Sequence, residues 1–368
     1  MSQVTLAERP FAAIPVRRWL WAAVPPVVAV VAALLAGAGL MLMAGANPIA
    51  AYSALFREAL TTYFGFANTL TKMTPLLLAS LGVLVALRAG QFNLGAEGQI
   101  YMGGLGSLLV GLGLSGLPMW IHLPLALLGG FGLGALWGAI PGYLKVARGL
   151  NEVLTTLLLN YIAQYLISYL VNAPLKAVGA PSPYSPLVAK SAYLPTILAK
   201  SQAHAGIFVG LAIALLLLVL LSLTPWGYQI DAVGQNPIAA RYAGIPVERT
   251  ILAVMALSGG LAGLAGSSEV LGLKRRLFEN FSPGYGFDAI AIAILSRGNP
   301  ISVILTSFFF ATLRSGANVM QRSAGVPVTV IYAIQGLTLL FVAISLVLQY
   351  KTRRSPLVPS TPPSSPAS

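Results

Sequence analysis

Polar side chains interrupt an otherwise apolar chain in a stretch rich in glycine. Asn93, Glu97 and Gln99 occur there close together. Amides and a carboxylate can hydrogen-bond a polar solute, and glycines allow a helix to break and expose its backbone groups. Asp288 is a further acidic residue beside a strongly apolar run. Because such side chains are costly inside a membrane and mark solute paths there, we predict that these four residues lie near a pathway.

Further polar residues interrupt apolar runs in the same manner: Glu152, Asn160, Gln164, Glu269, Arg314 and Gln335. A second interpretation stays open for every one of these positions. Polar side chains also join helices by interhelical hydrogen bonds or lie at the membrane surface. This second interpretation is favoured for Glu152, because a predicted loop lies next to it.

The residue patterns of enzymes are absent from the sequence. His122 and His204 lie far apart, and cysteine does not occur. The sequence also lacks the paired-histidine motif of zinc proteases, the serine elbow of hydrolases and the phosphate-binding loop of ATPases. We therefore expect no catalytic residue, no metal site and no bound cofactor, and any ATP would act through another chain.

The composition indicates an integral membrane protein. Of 368 residues, 57% are hydrophobic and only 8% are charged, whereas soluble domains carry about 25% charged residues. Repeated charge-free runs long enough to cross a bilayer predict helices rather than barrel strands. The net charge of +13 comes from basic residues at helix ends and in short loops. Anionic lipid headgroups explain that placement, so nucleic acid is not an expected partner.

The apolar runs predict an all-α polytopic protein with about ten transmembrane helices and both termini in the cytoplasm. Residues 1–18 form a cytoplasmic segment, 19–350 the transmembrane domain, and 351–368, rich in Pro and Ser, a disordered tail. Residues 47–66 are expected to lie at the outer interface and 269–285 to face outside water. The predicted spans are 19–44, 68–87, one that ends at 113, 125–144, 151–172, 206–223, 250–267, 286–296, 301–320 and 328–350.

Residues 224–249 form a polar island between two of these spans. The island is far longer than a membrane protein needs to reverse its chain. Its Asn-Pro pair favours the start of a turn or short helix, and small residues follow that pair. We therefore predict a docking surface for another protein.

Four motifs in order carry a family resemblance: FNLGAEGQIYMGG (92–104), GLNEVLTTLLLNYIAQYL (149–166), GQNPIAARYAGI (234–245) with SGGLAGLAG after it, and GYGFDAIAIAIL (284–295). They resemble permease subunits of bacterial ABC importers, a group that carries simple sugars and branched-chain amino acids. The first two motifs are most similar to the nucleoside-uptake branch. The resemblance covers residues 19–350.

The resemblance implies that the polar island holds a coupling helix, which docks into a groove of a separate ATPase subunit. The positions that match the motif of this helix are Gly234, Asn236, Pro237, Ala240, Arg241, Gly244 and Ile245. It also implies a second homologous permease subunit, an external substrate-binding lipoprotein, a nucleoside substrate and a location in the bacterial inner membrane. Inverted repeats are compatible with the order of the spans.

Two other functions stay open. An ABC permease of the same kind could carry a simple sugar or another small polar solute. A transporter of a different class would be driven by an ion gradient, with Glu97 or Asp288 as the ion site.

Overall fold

The computed structural model describes residues 16–327 and 329–353. Within them the chain folds into α-helices joined by short segments, with isolated β-bridges and no strand, which confirms the all-α class. The helices are α1 (Val16–Met43), α2 (Pro48–Thr61), α3 (Tyr63–Arg88), α4 (Ala96–Gly113), α5 (Met119–Arg148), α6 (Glu152–Asn172), α7 (Gly206–Leu223), α8 (Pro225–Gln235), α9 (Pro237–Tyr242), α10 (Val247–Ser268), α11 (Tyr285–Leu295), α12 (Pro300–Ala324) and α13 (Thr329–Arg353).

Among the described residues, six helical stretches are long and apolar enough to cross a membrane: α3, α5, α6, α7, the continuous helix Val247–Lys274 and α12. The chain is therefore a multi-pass membrane protein. A count of ten spans and the orientation of the termini stay predictions. Most of the predicted cytoplasmic segment 1–18 and of the predicted tail 351–368 lies outside the described residues; α1 begins at Val16 and α13 runs to Arg353.

The expectation that residues 269–285 face water is wrong for the first part of this segment. The helix does not end at Ser268 but continues as a π-helical turn, Glu269–Lys274. Glu269, Val270, Leu271 and Gly272 are all buried. The charged residues suggested a loop, yet continued backbone hydrogen bonding keeps this turn inside the bundle, as π-bulges in longer helices do.

The centre of the bundle consists of α3 and α10 with α4 and α5 around them. From Met73 to Ala86 every residue of α3 is buried, as expected for a helix that is apolar on all sides. Helices α1, α2, α12 and α13 form a smaller second cluster around Leu55, Met320 and Ile334.

Glycines allow α5 and α10 to approach each other closely. Gly130, Gly134 and Gly138 recur every fourth residue in the sequence, a spacing that predicts a close-packing face. The structure confirms this prediction, because all three contact α10. A Cβ built on Gly134 would lie 2.5 Å from the carbonyl oxygen of Gly259 and 2.7 Å from the Cα of Gly263. Backbone atoms cannot move aside as a flexible side chain can, so any side chain here pushes the two helices apart.

We expect Gly134→Ala to lower stability by about 1–3 kcal/mol, the usual cost of overpacking. Gly132→Ala is the matched control on the same helix, since a Cβ there meets nothing within 4 Å; alanine also favours helix, so the control should be neutral or slightly stabilised. Thermal unfolding of both variants in detergent measures the difference. Equal melting temperatures for the two variants would contradict the close packing.

His204 lies buried in the segment between α6 and α7. Its Nδ1 accepts a hydrogen bond from the Gly206 nitrogen at 3.2 Å, its Nε2 has no hydrogen-bond partner, and its ring packs against Gly272. Burial lowers the pKa of His204 to about 4 from its ordinary value of 6.5. The folded protein therefore stays neutral at this site where the unfolded chain has already taken up a proton.

We expect the protein to lose up to about 3 kcal/mol of stability from this group as the pH falls from about 6.5 to about 4. Above that window the histidine is neutral in both states and contributes no pH dependence. Unfolding measured in detergent across pH 4–8 tests this, with His204→Gln as the variant that cannot titrate. The same acid loss in both proteins would rule out His204 as its source.

Candidate functional site

The connection between α3 and α4 is a break in the helical bundle, held together by the amides of Asn93 and Gln99. Asn93 Nδ2 donates to Gln99 Oε1 at 2.8 Å, and Gln99 Nε2 donates back to Asn93 Oδ1 at 3.1 Å. Asn93 Oδ1 also accepts from the Gly95 nitrogen at 3.0 Å. The pair therefore closes the non-helical segment onto the first turns of α4.

Two neighbouring helices hold the same break. Asn93 Nδ2 donates to Ser258 Oγ of α10 at 2.8 Å. Asn160 of α6 accepts from the Gly98 nitrogen and donates to the Leu94 carbonyl, both at 2.8 Å. Asn160 and Ser258 lie near the middle of their helices, so the break lies halfway through the bundle. A discontinuous helix at mid-depth is what transporters use to present polar groups.

Glu97 and Asp288 both lie near the start of α11 and have different partners from those of Asn93. Glu97 stands in the first turn of α4, and its Oε2 accepts a hydrogen bond from the Gly286 nitrogen of α11 at 2.7 Å. The carboxylate thus lies at the N-terminal ends of two helices, where the helix dipoles favour negative charge. Asp288, one turn into α11, accepts from Arg314 Nε of α12 at 2.6 Å.

Arg314 of α12 contacts α11, the segment that precedes α11, and α3. Beyond Asp288 it donates to the Pro283 carbonyl at 3.1 Å, and its guanidinium lies 5.0 Å from the centre of the Tyr285 ring. A lysine near the start of a span can extend outwards to the membrane surface, but Lys72 Nζ donates to the Arg314 carbonyl at 3.2 Å. The sequence marked Arg314 only as a polar interruption; its partners lie on other helices and could not be read from the spacing.

Two other polar positions have structural roles. Glu152 pairs with Lys145 at 2.7 Å across the turn between α5 and α6, as the interhelical interpretation implied. Ser258 belongs to the SGGLAGLAG motif, yet its type alone did not single it out. Its burial against Asn93 could be seen only once α10 and the α3–α4 break were placed together.

Helix α8 fastens the polar island to the end of α3. Arg88 Nε donates to Asp231 Oδ1 of α8 at 2.7 Å. Gly234 lies directly against the Arg88 carbonyl oxygen, where a Cβ would approach to 1.9 Å. Glycine is therefore required at this contact, and a displacement of α8 must move the end of α3 with it.

Helix α9 is short but is capped at both ends. Asn236 Oδ1 accepts from the Ile238 and Ala239 nitrogens, each at 3.0 Å, and Pro237 occupies the first helical position. At the other end Gly244 adopts a left-handed φ of +81°, and the Ile245 nitrogen donates back to the Ala240 carbonyl at 3.0 Å. These are strong start and stop signals, and they explain how so short a helix stays folded.

The outer face of α9 is a protruding apolar and basic surface. Ala240 and Ile245 are buried beneath it, whereas Ile238 is 70% and Tyr242 is 90% exposed. Arg241 pairs with Glu248 in the first turn of α10. A large tyrosine at such exposure on a capped helix is typical of an anchor that fills a pocket on another protein.

A helical bundle with a break at mid-depth has the architecture of a multi-pass membrane transporter. The chain belongs to the family described as the permease component of branched-chain amino acid transport systems, whose members match it over residues 65–343. The resemblance to ABC importer permeases is thereby confirmed.

Three relatives agree with that membership. The chain is 37% identical to a glucose ABC transporter permease protein of Haloferax volcanii, over 87% of each chain. It is 35% identical to a guanosine ABC transporter permease protein of Bacillus subtilis, over 88% of this chain and 94% of the relative. A nucleoside ABC transporter permease protein of Lactococcus lactis is 32% identical, over 88% of this chain and 91% of the relative.

Proposed function

We propose that the chain is the membrane-spanning subunit of an ATP-driven importer that carries nucleosides across the bacterial cytoplasmic membrane. The observation that carries this proposal is α9, a capped helix that presents Ile238 and Tyr242 to a partner. Family membership supports an ATPase as that partner. The chain itself binds no ATP and no other cofactor in this proposal.

The coupling residues support a mechanical route from the ATPase to the bundle. Asn236, Pro237, Ala240, Gly244 and Ile245 keep α9 rigid, and Arg241 ties it to α10. Gly234 and the Arg88–Asp231 pair join α8 to the end of α3. Movement of α9 would therefore reach α3, α10 and the break between α3 and α4. ATP drives import only if the ATPase binds two states of this bundle with different affinity.

Nucleosides are the proposed substrates because two of the three relatives described above are named for guanosine or nucleosides. The relative named for glucose supports a simple sugar as the second candidate. Asn93, Glu97, Gln99 and Asp288 stay candidates for the pathway. Their present partners belong to the chain itself, so a solute would reach them only when the break opens.

The partners in this proposal are an ATP-binding subunit, a second homologous permease subunit and an external substrate-binding lipoprotein. The end of the bundle that carries α8 and α9 faces the cytoplasm, where ATP is available. An ion-driven transporter is disfavoured, because the family consists of permease components of larger systems.

The solutes bound by the external lipoprotein provide the test of substrate class. We expect the purified lipoprotein to bind guanosine and other nucleosides and not glucose, and the assembled importer to take up the same solutes. Binding of glucose but no nucleoside would overturn the nucleoside assignment and leave the transporter class intact.

A further inference from the structure

Helix α6 exposes a row of tyrosines on the side that points away from the bundle. Tyr161, Tyr165 and Tyr169 recur every fourth residue and are between 59% and 74% exposed. The buried side, Thr156, Asn160, Ala163, Ile167 and Val171, packs on the opposite face. Among the described residues no partner covers the tyrosine row, and no hydrogen bond reaches any of its hydroxyl groups.

A lipid-facing helix of this chain has a different composition. Helix α7 is exposed to a similar degree, and its outer face carries Phe208, Leu215, Leu216, Val219 and Leu223. The only exposed polar side chain beside that face is Ser222, near the end of the helix. The corresponding face of α6 carries three hydroxyl groups among Leu154, Leu158 and Ile162, with Gln164 and Ser168 along its edge. Unpartnered polar groups are costly in hydrocarbon, so the tyrosine row of α6 is poorly suited to lipid tails.

The depth of Tyr161 excludes it from an ordinary interfacial belt, whereas Tyr169 lies near the end of α6. Aromatic belts lie where a helix leaves the membrane. Tyr161 stands near the middle of α6, about 14 Å along the axis from Glu152, and its neighbour Asn160 holds the α3–α4 break. The row therefore extends from mid-membrane towards the far end of the helix.

A carboxylate lies near the C-terminal end of the tyrosine row. Ser168 Oγ donates to Glu279 Oε1 at 2.7 Å, and Glu279 is exposed. Aromatic faces beside a carboxylate suit a nucleoside: the base stacks on a ring, and the carboxylate accepts hydrogen bonds from ribose hydroxyls or base amino groups. A sugar alone would gain the hydrogen bonds but offers no planar base to stack.

We propose that this face of α6 lines the water-filled pathway and that the tyrosine row stacks the nucleobase as the solute passes. The stacking role of the tyrosines rests on the proposed nucleoside substrate. The claim that this face of α6 lines a water-filled pathway does not. The second permease subunit would close the pathway from the opposite side.

Water access is tested with single cysteines, because the chain has none of its own. Tyr165→Cys and the lipid-facing control Leu216→Cys, which is 62% exposed against 74% for Tyr165, are placed in the complete importer in proteoliposomes. A charged thiol reagent should label position 165 at least about tenfold faster, since it does not enter hydrocarbon. Labelling is read as a mass shift on this chain. Equal rates at the two positions would overturn the inference, whatever solute is carried.

Stacking is tested by uptake of guanosine with Tyr165→Phe and Tyr165→Leu. Phenylalanine keeps the ring, so uptake by Tyr165→Phe should exceed uptake by Tyr165→Leu several-fold. Leucine keeps the apolar volume but removes the ring, and should lower uptake about tenfold at low substrate. Normal guanosine uptake by Tyr165→Leu would overturn the stacking role. If the unmodified importer carries glucose and no nucleoside, the proposed substrate fails instead, and with it the stacking role that rests on it.

Discussion

The double variant Ile238→Ala/Tyr242→Ala is expected to lose ATP-driven uptake by at least about thirtyfold while the protein stays folded in the membrane. Truncation of an anchor residue typically costs ~2 kcal/mol or more of interface energy, and Tyr242 is the most exposed large side chain of α9. Substrate-dependent uptake, ATP hydrolysis and retention of the ATPase during purification measure the effect. Leu216→Ala on the exposed face of α7 is the control.

Arg241→Glu tests the charged part of the same surface. It places a carboxylate beside Glu248, so a local effect must be separated from an effect on docking. The exchange Arg241→Glu/Glu248→Arg restores the ion pair but swaps the positions of the positive and the negative charge on the surface. We expect both proteins to hydrolyse ATP without uptake. If the exchange restores full uptake, Arg241 only supports the turn and makes no contact with the ATPase.

Arg314→Met is expected to destabilise the protein by about 3–5 kcal/mol, because it leaves Asp288 without its partner inside the bundle. The same change also removes the bond to the Pro283 carbonyl. Thermal unfolding in detergent should show a large fall in melting temperature. Asp288→Leu/Arg314→Met removes both charges and should recover most of the loss, since well-packed apolar pairs often replace buried ion pairs.

Arg241→Met provides the matched control for this stability measurement. The Arg241–Glu248 pair is exposed, so its loss should change stability by less than about 1 kcal/mol. A melting temperature of Arg314→Met no lower than that of Arg241→Met would show that the Asp288–Arg314 pair does not hold α11 to α12.

Most of the helices could be predicted, because the residue patterns that indicate a helix lie within the helix itself. Charge-free runs identified the apolar helices, and the Asn-Pro pair identified the start of the short helix α9. The glycine spacing on α5 predicted a close-packing face. It did not indicate that α10 is the partner, since a repeat within one helix carries no information about the helix opposite.

Contacts between residues that are distant in the sequence could not be predicted from it. Asn93 and Gln99 were predicted to lie near a pathway, but their hydrogen bonds to each other and to Ser258 could not be read from the sequence. The burial of Glu269 was missed because charge near a predicted helix end usually indicates a loop. The tyrosine row of α6 was present in the NYIAQYLISY stretch, but its exposure became evident only once the buried face of α6 was known.

The energy source of transport tests the account most directly. The assembled importer is placed in proteoliposomes with ATP on the side of the ATPase, and the accumulation of labelled guanosine is followed. The account predicts accumulation that requires hydrolysable ATP and stops in the Ile238→Ala/Tyr242→Ala variant. Accumulation driven by an ion gradient without ATP, or by this chain without the ATPase, would contradict it.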